Sequence, residues 1–334
     1  MSFLDVIVPC YRYGKFLRQC VESVLTQEGV SVRVLVIDDA SPDDTAEIAA
    51  ALMKEDPRVS CIRHETNHGH ISTYNEGIDW ASADYMMILS ADDYLLPGAL
   101  GRAAALMNSN PEIGLTIGRA IELQEDGNQK STENSLDLNE ENRSTIVSGI
   151  EFIKLSGTRN IVSTPTAVVR TLLHKKLGGY RQELPHSGDM ELWLRFASTS
   201  SVGVMWDLQA VYRRHPNNMS LSYTRLPDLL QRKAALDIFF GTSGGSIPNA
   251  SRFKRTFFQS LACESISAAS SAFNQGEFAV AERLTSLAVE MSPGVKWSVP
   301  WSLFTVKRAL GLRASNALRA LLGKSIPRNA GEAT

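Results

Sequence analysis

The sequence predicts an α/β fold: a doubly wound, mostly parallel sheet flanked by helices, followed by an all-helical C-terminal region. Three observations carry this expectation. Short apolar runs alternate with helical-period segments through the first two thirds of the chain. Two of those runs stop abruptly at paired acids, Asp38-Asp39 and Asp92-Asp93. Past about Leu226 the remaining patterns are helical. The 334 residues are enough for one large domain and a smaller one, and 43% hydrophobic with 21% charged residues is the composition of a globular protein. A formal net charge of -2 gives no global electrostatic case for nucleic acid. Cys10, Cys20, Cys61 and Cys263 are widely spaced, with no CxxC pair, which suits reduced thiols better than a disulfide scaffold or a zinc site. No signal-peptide pattern opens the chain, and no stretch nears the ~18 apolar residues of a membrane span. A cytoplasmic protein is the expectation.

In order, Val6-Ile-Val8 closed by Pro9 reads as a buried strand, and Phe16, Leu17, Cys20, Val21, Val24 and Leu25 recur at helical spacing. Val32 to Ile37 is a second strand. Ser41-Pro42-Asp43-Asp44 then reads as a helix start, with Ser41 as N-cap and Pro42 at the first helical position. A strand at Val59–Ile62, a helix over 71–82, a strand from Tyr85, a helix over 97–109 and a strand near Ile113–Ile121 follow. Residues 122–145 are polar, acidic and aperiodic, the pattern of an exposed loop over a site. A helix near 148–156 and a strand near 162–170 lead to a helix with Asp189 in its first turn. Val202–Trp206 and Ala210–Arg214 suggest paired strands ending at His215. The boundary is expected near 222–227, dividing a catalytic region, 1–225, from a helical region, 226–334.

The stretch Tyr85-Met-Met-Ile-Leu-Ser-Ala-Asp92-Asp93 organises the chemistry. Acids at a strand end are costly to bury unless a cation neutralises them, and Mg²⁺ or Mn²⁺ holding a diphosphate suits such oxygen ligands. Taken alone, paired acids are as often helix caps or turn residues. Ligands of doubly wound sheets, however, sit at the carboxyl ends of the strands, where both acid pairs fall.

Seven pieces in order then resemble the inverting family-2 glycosyltransferases of GT-A fold. They are Val6-Ile-Val-Pro9-Cys-Tyr11; Val36-Ile-Asp38-Asp39-Ala-Ser41-Pro-Asp43-Asp44-Thr45; Asn67-His-Gly69 with Asn75-Glu-Gly77; Leu89-Ser-Ala-Asp92-Asp93; Gly178-Gly179-Tyr180; Gly188-Asp189-Met-Glu191-Leu-Trp193-Leu-Arg195; and Tyr212-Arg-Arg-His215-Pro-Asn-Asn-Met-Ser220. The resemblance covers the first ~220 residues and not the C-terminal third. It implies a nucleotide-diphosphate sugar, UDP-linked by preference, as donor. Pro9, Tyr11, Asp39, Asn75, Ser90, Ala91 and Asp92 would line the donor site, with Tyr11 stacking on the base and Asp39 accepting from a base N–H. Asp92 and His215 would hold the divalent metal, and Asp189 would be the general base. Asp38, Asp93 and Glu191 are further candidates; for Asp38 the alternative is a solvated or N-capping acid, and for Asp93 a cap of the next helix. The acceptor would be a saccharide or lipid-linked saccharide of polysaccharide or glycoconjugate synthesis.

Departures from the family pattern are visible. Ser90 stands where the metal motif usually has its first acid, Gly188 where an acid often precedes the base, and Tyr74 where an Arg often precedes Asn75. His68 or His70 could replace that lost contact. No Gln-x-x-Arg-Trp motif of processive synthases occurs, which suits addition of a single sugar. A non-catalytic nucleotide-sugar-binding relative would lack the base, and a sugar nucleotidyltransferase would open with a Gly-rich phosphate loop, which Pro9-Cys-Tyr-Arg-Tyr-Gly14 is not. A phosphoreceiver domain would begin at its acid pair, whereas here a full strand and helix precede it.

From Met291 to Gly331 there are no acids, while Lys296, Lys307, Arg308, Arg313, Arg319, Lys324 and Arg328 are basic. Leu303, Val306, Leu310, Ala317, Leu318 and Leu321 fall near one helical face, with Trp297 and Trp301 ahead of it. Two expectations stand open: a peripheral membrane contact through 296–328 at the inner face of the membrane, or a terminal helix packed on the domain with its basic side in water.

Overall fold

A computed structural model describes residues 1–131, 143–216, 218–219 and 223–321, with side chains described up to residue 311. The α/β region runs β1 (Ser2–Cys10), α1 (Gly14–Leu25), β2 (Val30–Asp38), α2 (Thr45–Glu55), β3 (Val59–Arg63), α3 (His70–Trp80), β4 (Tyr85–Ile88), β5 (Tyr94–Leu95), α4 (Ala99–Ser109) and β6 (Ile113–Gln124). It continues with β7 (Gln129–Ser131), β8 (Ser144–Val147), α5 (Gly149–Ser156), β9 (Val168–Arg170), α6 (Thr171–Leu177), α7 (Gly188–Ala197) and β10 (Ser201–Arg214). Four helices close the described chain: α8 (Leu226–Gly241), α9 (Ala250–Asn274), α10 (Phe278–Met291) and α11 (Val299–Leu321).

The strands form one sheet in the order β3-β2-β1-β4-β9-β6-β10-β5, with β7 on β6 and β8 on β10. β3, β2, β1 and β4 are parallel, as are β6 and β10; β9 runs antiparallel between β4 and β6. The sheet is therefore mostly parallel, and both faces of its central strands are covered. This explains why Leu4, Val6, Ile7 and Val8 form an unbroken apolar run rather than an alternating one. Cys10 pairs with Asp38, and Ile7 pairs with Ile88, so the ends of β1, β2 and β4 open on one rim. Gly77 allows α3 to press on that sheet, because a Cβ there would lie 2.4 Å from Ile7 Cγ2. One apolar cluster continues from Ile7 and Leu35 through Trp193 and Phe196 to Leu229, Phe239 and Phe304, tying the C-terminal helices to the sheet.

Four local expectations are corrected. The helix after β2 starts at Thr45, not at Pro42: the Ser41 N–H donates to Asp38 Oδ1 (2.9 Å), Ala40 sits at φ 59°, and Asp43 Oδ1 accepts from the Thr45 hydroxyl (2.6 Å). Residues 162–170 are a 3-10 turn, Thr164–Thr166, followed by the short β9. Pro165 supplies no N–H to a ladder and fits a helical first turn instead. β10 is one bulged strand rather than a hairpin, since both halves pair in parallel with β6, and Asp207-Leu-Gln209 offers no glycine for a tight hairpin turn. In place of an open loop after 121, β6 runs to Gln124, turns at Gly127 (φ 83°) and returns as β7, while β8 lies antiparallel to β10. The rest of that acidic stretch, 132–142, lies outside the described residues.

Candidate active site

A cleft of about 1550 Å³ opens at the carboxyl ends of the parallel strands. Its lining includes Pro9, Tyr11, Asp39, Ser90, Asp92, Asp93 and Asp189, together with Tyr180, Asn218 and Arg214. Carboxylates from three distant parts of the chain thus meet in one space.

At one end, Tyr11 is 42% exposed, and the Arg12 guanidinium lies over its ring, 5.8 Å from the centroid. Asp39 is buried and holds a web of donors: His64 Nδ1 at 2.7 Å, the His68 N–H at 2.7 Å and the Gly69 N–H at 2.9 Å. Gly69 reaches it at φ 81°, a conformation in which a side chain would be strained. Burial pushes the Asp39 pKa up, but the hydrogen bonds from His64, His68 and Gly69 outweigh it and hold the carboxyl below its ordinary value. His64 Nε2 also lies 2.7 Å from a Glu76 carboxylate oxygen. Burial disfavours the imidazolium, yet the two acids prevail and raise the His64 pKa, which favours the charged ring between them. Asp39, His64 and His68 bring ligand atoms within 4.8 Å of one another. With both ring nitrogens facing carboxylates, however, His64 is placed as an ion-pair partner more than as a neutral metal ligand. The Arg12 N–H donates to Ser41 Oγ (3.0 Å), joining two loops in which Arg12 (φ 64°) and Ala40 (φ 59°) both hold left-handed backbone.

In the middle, Asp92 Oδ2 lies 3.0 Å from His215 Nε2 and 3.5 Å from the Asn218 amide. Its other oxygen, Oδ1, is buried without a hydrogen-bond partner among the described residues. A buried carboxylate oxygen left bare beside an imidazole is a fitting seat for a divalent cation of intermediate hardness, such as Mn²⁺. Asp93 works differently. Its Oδ1 accepts the Arg213 N–H at 2.9 Å, while the Arg213 guanidinium donates to the Asp92 carbonyl and lies between the rings of Phe16 and Tyr94. These contacts fasten the end of β10 to the acid pair and so deliver His215 to Asp92. Burial, with repulsion from Asp92, pushes the Asp93 pKa well up.

At the other end, Asp189 stands in the first turn of α7, whose amino-terminal dipole favours an anion. Oδ1 accepts from the Tyr180 hydroxyl at 2.8 Å, and Oδ2 accepts from the Thr164 hydroxyl at 3.0 Å. Burial raises its pKa; these hydrogen bonds and the nearby His70 and His186 partly offset the rise. Beyond it, the wall passes to the C-terminal helices. Arg232 of α8 pairs with Asp228 and with Glu264 of α9, and His186 stacks on Tyr223 with ring centroids 4.2 Å apart.

Other candidates lie outside this lining. Asp38 is buried, anchoring Ser41 and facing Arg63 at 3.3 Å, and Ala91 is buried in the core. Both faces of the Asn75 amide are taken by the Tyr180 backbone (2.7 and 2.9 Å). Glu191 pairs with Arg195 at 2.8 Å, and Arg195 in turn donates to the carbonyls of Leu177, Gly178 and Gly179. These two residues shape the turn that presents Tyr180. Tyr74 and His70, by contrast, line the cleft: Tyr74 sits edge-on to Tyr180, and His70 Nε2 meets the Pro185 carbonyl at 2.9 Å. Sequence reasoning missed His64, Thr164 and Asn218. Asn218 was within the quoted His215 motif, but His64 and Thr164 carry no local signal.

A family model described as glycosyl transferase family 2 matches residues 5–175. The chain is 28% identical over 207 residues to an uncharacterized protein, MT1568, of Mycobacterium tuberculosis, covering 60% of this chain and 63% of that one. It is 30% identical over 129 residues to a GalNAc(5)-diNAcBac-PP-undecaprenol beta-1,3-glucosyltransferase of Campylobacter jejuni, covering 38% and 41%. The matched stretch thus spans less than two thirds of these relatives. Among solved structures, S. aureus TarS 1-349 in complex with UDP-GlcNAc aligns with a TM-score of 0.56 at 18% identity, covering 100% of this chain and 98% of that one. The mannosyltransferase PcManGT from Pyrobaculum calidifontis, in complex with GDP-Man and Mn²⁺, aligns at 0.54 with 14% identity, covering 96% and 88%. At such identities the likeness is one of fold, and the fold is of the GT-A type. With the family model spanning half of its residues, this chain belongs to glycosyl transferase family 2.

Proposed function

We propose that the protein transfers one sugar, with inversion, from a nucleotide-diphosphate sugar to an acceptor hydroxyl, with Asp189 as general base. The observation that carries this reading is the shared cleft of Asp39, Asp92 and Asp189. The donor would lie with its base between Tyr11 and Asp39. The Asp39 carboxylate is ionised and has lone pairs beyond those its present donors use, so it can accept from a uracil N–H. UDP is therefore the nucleotide we favour. Asp92 and His215 would hold a divalent metal, and Ser90 lies beside them. Bound there, Mn²⁺ or Mg²⁺ would neutralise charge on the departing diphosphate.

The acceptor would enter from the side of Thr164, His186 and the C-terminal helices. Its oxygen attacks the anomeric carbon as the C–O bond to the diphosphate breaks, and that electron pair leaves with the nucleotide. Asp189 takes the hydroxyl proton. A carboxylate whose pKa is raised by burial is a stronger base than a solvated one, and Tyr180 and Thr164 fix its direction. A saccharide or lipid-linked saccharide is the acceptor class we favour; the undecaprenol-linked substrate in the name of the Campylobacter relative supports it. That class carries with it a peripheral membrane contact through 296–328 and a place in polysaccharide or glycoconjugate assembly. We read 1–225 as the catalytic domain and 226–334 as a helical region that completes the acceptor side.

A thermal-shift panel of nucleotide sugars with and without Mn²⁺ tests the reading. A UDP-sugar should raise the melting temperature more in the presence of metal. If no nucleotide sugar shifts it under either condition, the reading fails.

A further inference from the structure

The apolar stripe of α11 points away from the protein. Val299, Leu303, Val306 and Leu310 follow one another at spacings of four, three and four residues, which is one face of a helix. They are 72%, 67%, 59% and 50% exposed, and Trp297 just ahead of them is 92% exposed. The helix is held by a different side: Phe304 is buried, with its ring 6.0 Å from that of Phe273 on α9. Gly311 then breaks the helix at φ 75° and ψ 168°. The stripe that amphipathicity alone would turn inward therefore faces solvent.

We propose that this face docks on an anionic lipid surface. The choice of occupant rests on charge. Residues 291–331 hold seven of the chain's 34 basic residues and none of its 36 acids, in a chain whose overall charge is negative. A second copy of a net-negative chain offers no special attraction to such a segment beyond its apolar face. A bilayer rich in anionic headgroups offers both an apolar interior for the stripe and negative charge for the exposed Lys296 and Arg308. A helix lying in the interface plane buries its apolar side to the depth of the acyl boundary, which matches a short stripe bounded by Gly311 and led by an indole. No helix among the described residues is long and apolar enough to cross a membrane, so the contact would be peripheral. Such docking deepens the peripheral contact of the functional reading, while the exposed stripe and the charge that carry it are independent of the chemistry in the cleft.

The test is co-sedimentation of the full chain with phosphatidylcholine vesicles, with and without phosphatidylglycerol. The wild type should pellet with the mixed vesicles and far less with the neutral ones, and salt should weaken the association. L303D/V306D, and separately K296E/R308E, should each lower the vesicle partition coefficient by about tenfold or more. These side chains are exposed, so melting temperature and UDP-dependent thermal shift should stay at wild-type values. The variants then report on the surface and leave the reading of the cleft untouched. Equal pelleting of wild type and L303D/V306D would overturn the proposal. So would light scattering that finds a dimer in the wild type and a monomer in the same variant, since the stripe would then be a self-interface.

Discussion

His215 Nε2 sits 3.0 Å from Asp92 Oδ2, while the other oxygen of that carboxylate is buried and, among the described residues, has no donor to accept from. The pair joins residues 123 positions apart, and Asp93 and Arg213 fasten the strand end that carries His215 to it. If it seats a cation, Asp92→Ala should weaken UDP-sugar binding in Mn²⁺ and leave metal-free binding nearly unchanged. His215→Ala should lower apparent Mn²⁺ affinity by about 10–100-fold. Titration calorimetry with and without metal distinguishes the two effects. Equal donor affinity in all variants would remove the metal assignment.

Asp189→Asn should keep donor binding and lose about 10²–10⁴-fold in turnover. Single-turnover transfer, with donor binding measured in parallel, checks it.

The pH profile of kcat/KM should show an acidic limb above the ordinary aspartate range, because burial raises the Asp189 pKa and only the ionised form can accept a proton. The Tyr180 hydroxyl stabilises that ionised form. Removing it in Tyr180→Phe should move the limb to higher pH, and an unmoved limb would assign the titration to another group.

His64 has a raised pKa in the folded protein because Asp39 and Glu76 outweigh its burial. For a group raised on folding, the stabilisation is complete below the unfolded value near 6.5 and is lost as pH rises through the folded value. Melting temperature should therefore fall across that window above 6.5, and His64→Gln should flatten the fall.

Glu191→Ala should destabilise the fold by about 3–5 kcal/mol, since it strands the buried Arg195 guanidinium. Replacing both partners with apolar residues of similar size should cost less than the single change. Urea denaturation measures each variant.

The alternation of strands and helices was legible because period and length are local properties, and the acids ending β2 and β4 were legible because a strand end is marked in sequence. Register was not. Nothing near Val202 says that the chain will run straight through Trp206 along β6 instead of turning back. The partners of the acids were hidden for the same reason: His64 and Thr164 reach Asp39 and Asp189 only after β3 and the 3-10 turn are placed. α11 failed in another way, because Leu303 and Val306 on one side and Trp301 and Phe304 on another make two apolar faces. Periodicity cannot choose which of them the protein keeps.

The left-handed backbone at Arg12 and Ala40 has a consequence for how the nucleotide end of the cleft could change. A residue with a Cβ is held there against roughly 1–2 kcal/mol of steric opposition. Glycine at either position should make the protein harder to melt and the loops slacker. Hardiness and a ready-shaped mouth are thus set against each other at two adjoining bends, and a variant selected for heat resistance alone would drift toward the looser one.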